Sequence, residues 1–127
     1  MNLKTWIKQA EQLKEFYGEP VSVYTREQAI EDGGLVDVSE LARQARFTAP
    51  LCITRGVHAK CTPPKGSYND YTGRLWDVLR MARYGFKLNK GDRSISKFVV
   101  KIERKNEQMW LAFNDYEGFT IMFPDEY

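Results

Sequence analysis

The last third of the chain alternates apolar and polar residues with a period of two. Phe98, Val100 and Ile102 alternate with Lys97, Val99 and Lys101, the pattern of a strand with one buried face. Met109, Leu111 and Phe113 repeat that spacing, and Phe119, Ile121 and Phe123 repeat it again. Turn residues at Lys105-Asn106-Glu107 and from Asn114 to Gly118 separate the three runs, and Pro124 stops the last. Such a stretch folds as sheet and not as helix, because only a strand puts every second side chain on one side. The spacing predicts a three-stranded antiparallel meander, and the preceding residues must supply what covers it.

Those residues read mainly as helices. Leu3, Trp6, Ile7, Ala10, Leu13 and Phe16 fall at helical spacing, predicting an amphipathic helix ended by Gly18. Pro20 then favours an extended Val21–Tyr24. Thr25 with Gln28 three residues later forms a capping box, which opens a short helix over Arg26–Asp32. Gly33-Gly34 ends that helix, Leu35–Val38 reads as a short strand, and Ser39 caps a helix running to Phe47. Residues 50–61 suit either helix or strand; Pro50 at a first helical position favours helix. Pro63, Pro64, Gly66 and Ser67 mark a loop. Asp70 or Thr72 then opens the longest helix, with Leu75, Val78, Leu79 and Ala82 as its apolar stripe and Gly85 as its end. The expected fold is a single α+β domain over 1–127, its helices packed on the C-terminal three-stranded antiparallel sheet.

Composition narrows the class. The 127 residues are 43% hydrophobic and 13% aromatic, enough for a core without metal or disulfide support. No run approaches the ~20 apolar residues of a membrane span, and the first residues are charged throughout, unlike a signal peptide. The expectation is a cytoplasmic protein with no membrane partner. Cys52 and Cys61 read as reduced thiols. His58 and Cys61 have the spacing of half a zinc site, but Cys52 is the only other cysteine and there is no second histidine. No P-loop, dinucleotide fingerprint or G-x-S-x-G elbow is present. The carboxylate pairs Asp32 with Asp37 and Asp125 with Glu126 lie where turns and chain ends favour acids anyway. No catalytic residue, metal or cofactor is assigned.

Charge is unevenly distributed. Residues 55–105 carry 13 basic and 4 acidic side chains, whereas residues 106–127 carry 5 acidic and no basic ones. Two readings follow: basic and acidic strands pair across the sheet, or the basic stretch is a working surface. In the second case Arg80, Arg83, Lys87, Lys90, Arg93, Lys97, Lys101, Arg104 and Lys105, interleaved with Tyr84 and Phe86, would bind nucleic acid; in a protein-binding reading Trp76 or Trp110 would be the anchor. Arg26 and Arg74 each open a helix, where a cation opposes the dipole. Their preferred role is an ion pair with Asp37, Asp77 or the terminal Asp125-Glu126.

The pattern Tyr24-Thr25-Arg26 … Gln28-Ala29-Ile30 … Asp32-Gly33 … Leu35-Val36-Asp37-Val38 resembles a small plasmid- and phage-borne bacterial family of unknown function. Gly73-Arg74-Leu75-Trp76-Asp77-Val78-Leu79 and Ile121-Met122 … Pro124-Asp125-Glu126 continue the resemblance in the same order, over residues ~21–126. The helix at 1–18 is an addition to that pattern. The chain also departs from it, with Arg80-Met81 where relatives carry Trp-Met. The resemblance implies a mobile-element accessory protein that binds a host protein or ribonucleoprotein complex, such as an anti-CRISPR or anti-nuclease inhibitor. A small nucleic-acid-binding protein using 80–105 is the alternative, and a small enzyme around Tyr24, Arg26 and Arg74 the third.

Overall fold

The computed structural model describes residues 25–65, 70–89 and 94–127; the expected helix at 2–17, the extended Val21–Tyr24 with Tyr24 itself, and Lys90 and Arg93 of the basic stretch lie outside them. The capping box forms as its spacing requires: Gln28 N–H donates to Thr25 Oγ1 and Thr25 N–H donates to Gln28 Oε1. It opens helix α1 (Arg26–Glu31), followed by β1 (Leu35–Asp37), α2 (Ser39–Gln44), β2 (Leu51–Thr54) and α3 (Arg55–Cys61). The long helix α4 (Tyr71–Leu88) is capped by Asp70 and leads into β3 (Ile95–Ile102), β4 (Lys105–Asn114) and β5 (Gly118–Met122). A 3-10 turn, Pro124–Glu126, closes the chain.

The sheet has five strands in the order β1-β2-β5-β4-β3, not three. It is mixed: β2 runs parallel to β5, and every other neighbouring pair is antiparallel. The three-stranded expectation fails at residues 51–54. That four-residue apolar run is buried at every position, as befits a strand covered on both faces, and a run so short has no readable period. Pro50 precedes β2 instead of opening a helix, and its carbonyl accepts from Phe119 N–H at 2.8 Å. Thr54 then caps α3 through Val57 N–H, so residues 50–61 are strand first and helix second. The fold class remains α+β.

Pairing register fixes which side chains share a face. Leu51 lies beside Phe119 and Ile53 beside Ile121, while Cys52 lies beside Thr120. The first set joins Leu111, Met109, Phe98 and Val100 under α2, α3 and α4 in the main core. Phe119 is the centre of an aromatic cluster, with the rings of Phe47, Phe86 and Phe113 at 5.0, 5.3 and 4.7 Å. Phe86 therefore belongs to the core and not to a binding surface. Ala29 of α1 covers the other face over Leu35 and Cys52.

Two punctuation marks differ from expectation. Helix α4 continues through Gly85, whose missing side chain admits β3: a Cβ there would meet Phe98 Cβ at 3.2 Å and the Lys97 carbonyl oxygen at 3.3 Å. The β3–β4 turn is Glu103-Arg104, two residues before the expected one. Both have positive φ, 52° and 67°, the signature of a tight two-residue hairpin that usually employs Asn-Gly. Nor do basic and acidic strands pair here: Lys97 sits opposite Trp110 and Lys101 opposite Asn106.

Gly118 holds the β2–β5 junction. Its φ is +91°, and a Cβ would run into the Pro50 carbonyl. Gly118→Ala is expected to destabilise the fold by about 2–4 kcal/mol. Gly33→Ala, at φ +81° with open space around it, should cost only about 1 kcal/mol. Urea unfolding midpoints check this, and equal effects would contradict the assigned close approach.

Candidate functional site

Helix α4 has two unlike sides. Arg74, Leu75, Val78, Leu79 and Ala82 are buried. The opposite side carries Trp76, Arg80, Arg83, Tyr84 and Lys87, spaced at i, i+4, i+7, i+8 and i+11, which aligns them as one stripe. Facing this stripe is the exit of α2. Phe47 N–H donates to the Ala42 carbonyl at 3.0 Å and Arg46 N–H to the Arg43 carbonyl at 2.9 Å, a Schellman closure. Its left-handed residue is Arg46, at φ 74°. Arg83 Nη1 donates to the Arg46 carbonyl at 2.7 Å and so fastens the corner to α4.

Between them lies a groove of about 280 Å³, lined by Gln44, Ala45 and Arg46 on one side and by Trp76, Arg80, Arg83, Tyr84 and Lys87 on the other. Four cationic and two aromatic residues line it, and no carboxylate does so among the described residues. Trp76 is half-buried against the core, whereas Tyr84 is 58% exposed.

The predicted basic surface is divided in two. Arg80, Arg83, Lys87 and Trp76 meet in this groove. Lys97 and Lys101 point from the other face of the sheet, because their register neighbours Phe98 and Val100 take the core side. There Lys97 Nζ sits 5.2 Å from the centre of the Trp110 ring, which in turn packs on Tyr127 at 5.5 Å. A helix layer and a sheet thus separate the two cationic groups. The sequence missed Arg46, since no glycine or asparagine marks the end of α2.

The two arginines of the family-like pattern are engaged inside the fold, with other partners than expected. Arg26, on the α1 side of the sheet, donates to Thr120 Oγ1 at 3.1 Å and to the Phe119 carbonyl. Arg74, on the other side, donates to Glu103 Oε1 at 2.6 Å and to the Lys60 carbonyl at 3.3 Å. They share no cleft. Val38, not Ser39, is the N-cap of α2 and makes no side-chain cap; Asp37 accepts from Ser39 N–H at 2.8 Å, and Ser39 Oγ accepts from Leu51 N–H. Asp32, Asp77 and Asp125 are exposed. The chain end is tied by Glu126 instead, which accepts from Thr54 Oγ1 and from Phe123 N–H, both at 2.8 Å.

His58 and Cys61 also face inward. His58 Nδ1 lies 2.7 Å from the Tyr71 hydroxyl. Cys61 is fully buried, and burial pushes its thiol up to about 11. No group of three or more His, Cys, Asp or Glu is arranged to hold a metal among the described residues. No helix among them is long and apolar enough to cross a membrane. No known family model matches the chain, and no curated protein or solved structure shows significant similarity to it.

The Arg74–Glu103 pair yields a pH prediction. The hydrogen bond from Arg74, followed by burial acting the other way, leaves the Glu103 carboxyl below its ordinary 4.5. A depressed carboxyl stabilises the fold above the unfolded-state value and loses that contribution as pH falls through the folded one. Wild type and Glu103→Gln should therefore differ in unfolding midpoint at neutral pH and converge below 4.5. A gap that stays constant through the acid range would contradict this.

Proposed function

We propose that the protein is a non-enzymatic binding protein that docks on a polyanionic surface of a macromolecular partner through the α2–α4 groove. The carrying observation is that Arg46, Arg80, Arg83 and Lys87 line one groove with Trp76 and Tyr84, where no acid lies among the described residues. Cations gathered at a concave surface focus the field and speed encounter with an anionic partner, and aromatic rings supply contact area at little entropic cost. The engagement of Arg26 and Arg74 in internal bonds speaks against a catalytic cleft around them. The resemblance to a plasmid- and phage-borne family supports a setting in which the partner is a host protein or ribonucleoprotein complex and the outcome is inhibition of a host defence. That setting, and a cytoplasmic location, belong to the proposal.

Heparin, a polyanion, tests the location of the surface. The exposed Arg80 and Lys87 can be reversed without touching the Arg83–Arg46 fastening. The double variant Arg80→Glu with Lys87→Glu should elute from heparin at clearly lower salt than wild type, while Lys97→Glu with Lys101→Glu should shift elution less. The opposite ranking would move the site to the other face of the sheet.

A further inference from the structure

We propose that the groove's ligand is a short stretch of single-stranded nucleic acid, with its phosphates on Arg46, Arg80 and Lys87 and a base against Tyr84 and Trp76. This rests on the polyanion reading above and names its chemistry. Three of the four cations are arginines, whose planar forks match phosphate oxygens in pairs and stack on flat rings; lysine does neither. An acidic peptide would be satisfied by the charges and would leave the two rings without a role. A base supplies a π-face for them whatever its identity.

Dimensions agree. Arg80 and Lys87 are seven residues apart on α4, a rise of about 10 Å, which lets the two cations meet different phosphates of one strand. The 280 Å³ groove is at the small end of ligand pockets, which start near ~300 Å³. It can accept one flat ring system. The bases of a duplex are stacked and paired, so none would be available to fill it.

Arg46 supplies an independent observation. A left-handed backbone at a helix exit is normally taken by glycine, because an L side chain there is strained. Arg46 adopts φ 74°, and the hydrogen bond from Arg83 to its carbonyl holds the corner in place. This corner sets Arg46 in the lining of the groove, across from the α4 stripe. Backbone outliers of this kind gather at binding sites. Stability and binding therefore make opposite demands on position 46.

The test is fluorescence anisotropy of a short labelled oligothymidylate over a range of salt, with a duplex of matched length and oligoglutamate as competitors, alongside thermal unfolding of each variant. Wild type should bind the single strand with a steep salt dependence, and neither competitor should displace it well. Arg46→Gly should bind several-fold more weakly, with the salt slope reduced by about 0.7–1, while its unfolding midpoint stays equal or rises. Arg46→Lys should recover most of the slope. Tyr84→Ala, at an exposed position, should weaken binding at least about fivefold with little change in slope. Unchanged binding by Arg46→Gly, or weaker binding accompanied by a lowered midpoint, would overturn the role of Arg46. Equal displacement by oligoglutamate or by duplex would overturn the single-strand assignment and leave the polyanion reading standing. No salt-dependent binding of any probe would remove both.

Discussion

The parallel pairing of β2 with β5 is the constraint on which the rest of the structure depends. It joins Leu51–Ile53 to Phe119–Ile121, segments separated by α3, α4 and two strands of chain, so its loop closure is the costliest in the fold. What offsets that cost is concentrated at Phe119. Its ring meets Phe47, Phe86 and Phe113; its N–H is taken by the Pro50 carbonyl, and its own carbonyl is taken by Arg26. Every layer of the protein touches that residue. Glu126 repeats the tie at the other end of the pairing by accepting from Thr54.

Helix α4 acts as the spine that fixes the corners. Among the described residues, three non-glycine residues have positive φ: Arg46, Glu103 and Arg104. An α4 arginine fastens both of the corners they make. Arg83 holds the Arg46 carbonyl and Arg74 holds the Glu103 carboxylate. The first clamp shapes the groove, and the second pins the β3–β4 hairpin beneath α3. The arginines of α4 divide their work: Arg74 is buried and structural, Arg83 links corner to groove, and Arg80 is exposed and lines the groove.

Much of the fold was legible in the sequence because its signals are local. The Thr25–Gln28 capping box, the Asp70 cap and the period-two alternation of Phe98, Val100 and Ile102 each depend on a few neighbouring residues, and each forms as read. The expected sheet lacks β2 because β2 is a central strand: Leu51–Thr54 is buried at every position and Leu51-Cys52-Ile53 is apolar on both faces, so it has none of the alternation that marks a half-exposed strand. Turn positions were misplaced where strained residues stand in for glycine, at Arg46 and at Glu103-Arg104, because distant arginines stabilise them. The basic stretch was read as one surface because sequence order hides the pleat that sends Lys97 and Lys101 away from α4. The ion pair expected for Arg26 and Arg74 is seen at Arg74 alone, and with Glu103 in place of Asp37, Asp77 or the terminal acids. Arg26 instead bonds the neutral Phe119 carbonyl and Thr120 hydroxyl, partners set by tertiary contact alone.

The most direct test of the account is chemical-shift mapping of the isotopically labelled protein during titration with oligothymidylate at low salt. The account predicts saturable shifts confined to the α2–α4 groove: the Arg46 amide, the Trp76 indole N–H, and the amides of Arg80, Tyr84 and Lys87. Shifts centred instead on Lys97, Lys101 and the Trp110 indole, with the α4 stripe unmoved, would contradict it.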